Sequence, residues 1–184
     1  MNVALKRPRN PFRWLQVYRL YRQAFPSSER KPFWLILRMT KKKKTDTWCI
    51  LSGRRFTGFA TTINGDGLVM LDYLAIDQNA RNGGIGTQAL RLLQDIYAGQ
   101  GFFVEIESPF EDVPDKQDRL RRRAFYRRCG LEPLAVMAVV FGVKMELLGR
   151  DCALDFDGYQ AFYRENYSDY AAQHLEKAHH PESV

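Results

Sequence analysis

The chain has 184 residues and a mass of 21.4 kDa, which suits one domain with a sizeable core, and its 45% hydrophobic and 27% charged residues are the balance of a globular protein. Cys49, Cys129 and Cys152 are too widely spaced for a disulfide framework or a metal cluster. All three histidines (His174, His179, His180) lie in the last residues, which excludes an internal zinc site and a Ser-His-acid triad. The net charge of +7 leaves nucleic acid, anionic lipid and a polyanionic cofactor open, while no apolar run reaches the roughly 20 residues of a membrane span and Met1 to Arg7 hold no signal-like stretch. A cytoplasmic protein with no membrane partner is expected.

In chain order, Asn2 to Lys6 reads as a short strand ended by Pro8 and Pro11. Leu15, Tyr18 and Phe25, with Val17, Leu20 and Tyr21 between them, predict a helix from Phe12 to near Pro26. Ser27 or Ser28 is the expected N-cap of a second helix running to about Arg38. Lys41-Lys42-Lys43-Lys44 follows as a solvated loop. Thr47 to Leu51, Arg55 to Ile63 and Leu68 to Ile76 have strand character. The turn signals Ser52-Gly53 and Asn64-Gly65-Asp66-Gly67 join them into an antiparallel meander. Gly84 to Ala98 is an amphipathic helix with Ile85, Ala89, Leu92, Leu93 and Ile96 on one stripe. Phe102 to Ile106 is a further strand, Pro109 to Asp118 a loop, and Arg119 to Arg128 a helix closed by Gly130. Ala135 to Leu148 holds one or two strands, and Phe156 to Tyr170 a terminal helix. Hairpins and a strand-helix-strand crossover together give an α/β fold with a mixed sheet.

The informative segment is Leu71 to Thr87, where a glycine-rich turn feeds an amphipathic helix. Unpaired amides at such a helix start, together with its positive dipole end, form a phosphate site, and glycine lets the phosphate come close. No Gly-x-x-x-x-Gly-Lys-Ser/Thr occurs, so a Walker loop is excluded. Gly84-Ile85-Gly86-Thr87-Gln88-Ala89 fits a dinucleotide fingerprint, with Glu105 on a strand about 20 residues on. Against it, Asp77 to Asn82 separate strand from glycine, and the chain supplies no second nucleotide-binding half. A purely structural helix start is the third possibility.

Arg81-Asn82-Gly83-Gly84-Ile85-Gly86 matches Arg/Gln-x-x-Gly-x-Gly/Ala, the motif A of the GNAT (GCN5-related N-acetyltransferase) superfamily, in its strand-loop-helix setting. Downstream, Ala124-Phe125-Tyr126-Arg127-Arg128-Cys129-Gly130-Leu131 resembles the family's motif B ending, Phe/Leu-Tyr-x-x-x-Gly-Phe, with Leu131 in place of the usual Phe. Phe25 to Phe33 looks like the segment joining the first two helices of bacterial members. The similarity covers about residues 3 to 148.

The resemblance implies the GNAT fold: α/β, with a mixed, mostly antiparallel central sheet flanked by helices. It further implies a single domain over residues 1–184, with a core of about 3–148 and a C-terminal helical segment at 155–184. The implied activity is N-acetyl transfer from acetyl-CoA to a primary amine of a small molecule or protein, by direct attack in a ternary complex and without a metal. The CoA pyrophosphate is expected on the amides of Asn82, Gly83, Gly84, Ile85, Gly86 and Thr87, with Arg81 opening the loop. The pantetheine arm is expected along the main chain of Leu74, Ala75 and Ile76. Tyr126 matches the general acid facing the sulfur. A thiol near pKa 8.5 and a phenol near 10 make full proton transfer uphill by about 2 kcal/mol, so a hydrogen bond to sulfur carries much of its effect. Glu107, then Glu105, on one face of a strand that lines the acceptor cleft in the family, are the candidate bases; Asp72 is another. Glu29 and Tyr73 are expected at the acceptor, where Glu29, Glu105 and Glu107 would favour a cationic amine. Many members carry Asn seven residues before the tyrosine; here Arg119 stands there and is expected at the cofactor. A non-catalytic acyl-CoA sensor on the same fold is the rival reading. A nucleic-acid partner rests only on the lysine and arginine runs and is not expected. Monomer and homodimer both remain open.

Overall fold

Strand β1 is Val3–Lys6, and helix α1 (Pro11–Ala24) starts where Asn10 caps it: the Asn10 side-chain oxygen accepts from the Arg13 amide at 2.9 Å, and Pro11 presets φ in the first turn. Val17, Leu20 and Tyr21 are its buried face. Helix α2 is Phe33–Lys41, with Pro32 at its cap, five residues later than a cap at Ser27. Pro32 disfavours helical geometry at Lys31, so the chain stays extended until the proline has passed. Ser27 sits instead in a turn closed by the Glu29 amide on the Pro26 carbonyl, at 3.1 Å. Ser28, the other expected cap, and His180 lie outside the described residues; the computed structural model describes residues 2–27 and 29–179.

The chain divides into two compact units, one holding residues up to Asn64 and Leu71–Ala98, the other Gly65–Met70 and residues from Gly99 onward. In the first unit, β2 (Thr45–Ser52), β3 (Arg55–Gly65) and β4 (Leu68–Ile76) follow β1 in the strand order β1-β2-β3-β4. The β1/β2 and β2/β3 pairs are antiparallel, with Lys6 opposite Cys49 and Cys49 opposite Phe59. The strand period of two sorts the side chains. Cys49, Leu51, Phe59, Tyr73 and Ala75 pack with Val17, Leu20, Tyr21 and Ile36 of the first two helices. Ile50 and Val3 meet Ile85 and Ala89 of α3 (Ile85–Ile96), with Leu74 and Ile76 packed against that cluster. Each large apolar side chain so buried is worth about 1.5–3 kcal/mol.

One polar network closes this unit. At the C-cap of α3, Tyr97 donates to Asp46 at 2.7 Å and accepts from the Trp48 indole at 3.2 Å. Asp46 also accepts from Asn64 at 3.1 Å and pairs with Arg7. Burial would raise the Asp46 carboxyl, but the hydrogen bonds from Arg7, Tyr97 and Asn64 outweigh it and hold the group below its ordinary value.

In the second unit, the strands run in the order β5-β7-β6-β8: β5 (Gly101–Glu107), β6 (Glu132–Val140), β7 (Val143–Arg150) and β8 (Leu175–Ala178). The β5/β7, β6/β7 and β6/β8 pairs are antiparallel. Helix α4 spans Lys116–Arg128, three residues longer than expected, because the Asp115 carbonyl already accepts from the amides of Asp118 and Arg119. Its end is as expected: Gly130 at φ +85 allows Leu131 N–H to reach the Tyr126 carbonyl and Gly130 N–H the Arg127 carbonyl. The terminal helix is two helices, α5 (Phe156–Asn166) and α6 (Asp169–Gln173), because Ser168 turns to extended backbone and caps the Ala171 amide. Strand β8 was not expected in a segment read as helical; with one buried residue in four it carries no visible alternation. Phe103 of β5 packs edge-on against Tyr159 and Phe162 of α5, with centroids at 6.4 and 5.2 Å. Arg123 of α4 reaches both oxygens of Glu146 at 3.0 Å, and the Glu146 side chain is fully buried.

Two stability predictions follow from these pairs. Because the folded Asp46 value is depressed, its contribution is complete above the unfolded carboxyl value of about 3.9 and fades as pH falls through the folded value. Urea unfolding of Asp46→Asn is expected to show a deficit of about 1–3 kcal/mol at pH 7 that shrinks at pH 3. A deficit independent of pH would contradict the network. Glu146→Ala leaves a guanidinium inside without its carboxylate and is expected to destabilise by about 3–5 kcal/mol in the same assay.

Candidate active site

The loop between β4 and α3 is shaped by its own hydrogen bonds. Asp77 donates its amide to the Thr57 carbonyl at 2.8 Å and its carboxylate accepts from the Asn79 amide at 2.9 Å, winding Gln78–Ala80 into a 3-10 turn. Arg81 folds back, its Nε donating to the Ile76 carbonyl at 3.1 Å. Asn82 at φ 64 and Gly84 at φ 73 then turn the chain sharply into α3. Asparagine tolerates that region, and glycine enters it without strain.

The first bond into the helix runs from Gln88 N–H to the Gly84 carbonyl at 3.0 Å. The amides of Ile85, Gly86 and Thr87 therefore have no preceding carbonyl, and among the described residues they have no other acceptor. Arg81, Asn82, Gly83 and Gly84 are exposed, and a Cβ on Gly84 would meet only Gln88, at 3.9 Å. The result is an open, positively polarised cradle of backbone donors, suited to a diphosphate. Leu74, Ala75 and Ile76 lead into it on β4; Ala75 is buried, and the Ile76 carbonyl is engaged by Arg81.

Tyr73 and Glu29, both expected at the acceptor, meet elsewhere in the first unit. Tyr73 is buried in an aromatic cluster with Tyr21 and Phe25, at centroid distances of 5.0 and 4.8 Å. Its hydroxyl donates to the Glu29 carbonyl at 2.9 Å and accepts from the Lys31 amide at 3.3 Å, tying down the segment before α2. Burial, followed by the neighbouring Asp72, raises this phenol far above its ordinary value. Asp72 itself pairs with Lys31 at 2.6 Å.

The remaining expected residues belong to the second unit. Tyr126 lies in the last turn of α4, buried, with its ring 5.1 Å from that of Phe125. Burial pushes its phenol up to about 12, partly offset by Arg122 one turn earlier. Both carboxylates of β5 are held. Glu105 accepts from the hydroxyls of Tyr159 at 2.8 Å and Tyr163 at 2.9 Å, one on each oxygen. Glu107 meets Arg119 at 3.4 Å and Arg122 at 3.9 Å, both through Oε2. Arg119, expected at the cofactor, also pairs with Asp115 at 3.0 Å and donates to the Ser108 carbonyl at 3.2 Å. Tyr159 and Tyr163 were missed by the motif reading. Their trace in the sequence is the spacing Tyr159, Tyr163, Tyr167, which puts hydroxyls on one helix face.

Among the described residues there is no group of His, Cys, Asp and Glu fit to hold a metal ion, and no helix is long and apolar enough to cross a membrane.

The family model for the Acetyltransferase (GNAT) family matches residues 14–131, which include the amide cradle, both β5 carboxylates and Tyr126. No sequence among the curated proteins matches the chain. Among solved structures, a protein described as a GNAT-family acetyltransferase from Bacteroides thetaiotaomicron superposes with a TM-score of 0.74 at 18% identity, covering 94% of this chain and 99% of its own. An acetyltransferase from Bacillus subtilis in complex with CoA gives 0.60 at 14% identity, covering 83% and 99%. The ribosomal-protein-S18-alanine N-acetyltransferase from Escherichia coli gives 0.58 at 12%, covering 84% and 96%. At such identities these likenesses speak for the fold, and the family match carries the rest: the chain belongs to the GNAT acetyltransferase family and is an acyl-CoA-dependent acyltransferase.

Proposed function

We propose that the protein transfers an acetyl group from acetyl-CoA to a primary amine by direct attack in a ternary complex. The observation that carries this reading is the row of unpaired amides opening α3 behind Arg81-Asn82-Gly83-Gly84-Ile85-Gly86. Acetyl-CoA supplies the activated acyl group as a thioester. On the protein side, the amides from Asn82 to Thr87 hold the diphosphate, with the main chain of Leu74, Ala75 and Ile76 beside the pantetheine arm. Arg81, whose Nε donates to the Ile76 carbonyl, sets the shape of the turn and keeps its positive charge beside it.

Tyr126 is the proposed acid. With its phenol near 12 and a thiol near 8.5, full proton transfer is uphill by about 5 kcal/mol, so Tyr126 acts by holding a hydrogen bond to sulfur as charge develops there. Of the two β5 carboxylates, Glu107 is the better candidate base. Glu105 has both oxygens occupied by phenols, whereas Glu107 meets Arg119 and Arg122 at 3.4 and 3.9 Å, longer contacts that a water can share. Arg119 is then a positioning residue for Glu107 rather than a cofactor ligand. The carboxylates of Glu105 and Glu107 favour a cationic acceptor. The neighbours include an aminoglycoside 6′-N-acetyltransferase and the ribosomal-protein-S18-alanine enzyme, whose acceptors are both amines.

Tyr126→Phe removes the hydrogen bond and keeps the ring. It is expected to lower kcat about 100-fold while the CoA dissociation constant, read by calorimetry, stays within about 3-fold. Unchanged turnover would remove Tyr126 from the chemistry, and absence of turnover in the wild-type chain across an amine panel would favour a sensor. Gly84→Val places a β-branched side chain at φ 73 and is expected to weaken CoA at least about 10-fold. Undiminished CoA affinity would reject the cradle.

A further inference from the structure

The five cationic side chains that line one groove of the first unit are unused by the acyl-transfer reading. The groove runs along β1 beside the start of α1, with a volume of about 800 Å³. Leu5, Trp48, Cys49 and Leu51 line it, Cys49 and Leu51 from the cluster packed with α1 and α2 and Leu5 from the one packed with α3. Lys6, Arg7, Arg9, Arg13 and Arg54 line it as well, and among the described residues no acidic side chain does. Arg7 is matched by Asp46 and lies over the Trp48 ring at 4.5 Å. Arg13 donates to Gln16 and to the Arg54 carbonyl, so its charge is not neutralised. Lys6, Arg9 and Arg54 are exposed and have no ion pair among the described residues.

Like charges gathered around one groove repel one another, and a bound anion relieves that repulsion. Four of the five cations are arginines, whose planar forks match phosphate oxygens and stack on flat rings. The volume falls within the roughly 300–1,000 Å³ of small-molecule sites. This groove is not the amide cradle seen from another side. Arg7 reaches α3 through Asp46 and Tyr97, at the helix C-cap, whereas the cradle is at its N-terminus. Twelve helical residues separate those ends, about 18 Å.

We propose that the groove is a second anion site, for a small molecule bearing a di- or triphosphate, whose oxygens meet Arg9, Arg13 and Arg54.

The test is calorimetry on the full chain, in two separate titrations so that the fates of the cradle and of the groove are read independently. CoA is titrated first; ATP is then titrated into the chain saturated with CoA. One further ATP per chain is expected. The exposed double variant Arg9→Glu/Arg54→Glu is expected to weaken ATP at least about 10-fold while leaving the CoA titration unchanged. No ATP uptake beside CoA, or equal uptake by the double variant, overturns the proposal. Inorganic pyrophosphate is expected to displace the ATP, and pyrophosphate that does not compete with it overturns the phosphate contact. A single-stranded oligonucleotide or phosphatidylglycerol vesicles binding tightly where ATP does not displace them overturns it in favour of a macromolecular or membrane partner.

Discussion

A helix whose first amides have no carbonyl before them presents a concentrated patch of positive potential, and the functional account of this protein depends on that patch. In α3 it is made by the chain path rather than by charged side chains. Asn82 and Gly84 take left-handed backbone angles, and Arg81 is turned away to the Ile76 carbonyl. The glycine-rich surface leaves the donors open. The same helix is anchored at its other end by Tyr97, in a network with Asp46, Trp48 and Arg7. With one end open and the other pinned, the proposed cradle is held by a packed element, which is how a backbone site keeps its geometry.

The second unit shows a different economy: its inward carboxylates are held by phenols or arginines. Glu105 is held by two phenols, Glu107 by two arginines, and Glu146 by a buried arginine. The arginine-rich face of α4, which from sequence looked available for a cofactor phosphate, is thus partly committed to carboxylates of β5 and β7 and to Asp115. Tyr126, in the last turn of that helix, is buried, and burial raises its phenol. A phenol in that state stays protonated and can donate a hydrogen bond to the thiolate that the proposed reaction develops.

What was legible in the sequence was local. The turn Asn64-Gly65-Asp66-Gly67, the stripe of α3, and Gly130 as a left-handed stop all leave a signature within a few residues. The turn and helix start that form the proposed cradle were legible for the same reason, since glycine spacing and a helix start are adjacent in the chain. The start of α2 was misplaced because two serines signal a cap more loudly than a proline signals delay. Strand β8 was invisible because its four residues show no alternation of buried and exposed side chains. The environment of the carboxylates was beyond reach: Tyr159 and Tyr163 lie 54 and 58 residues from Glu105, and only the folded chain brings them together.

Amide hydrogen exchange, read residue by residue in the free and CoA-saturated chain, tests the central claim most directly. The account predicts that Asn82 to Thr87 exchange fast in the free protein and slow at least about 10-fold with CoA, as each donor finds an oxygen. Protection spread elsewhere while these six amides exchange as before would contradict it.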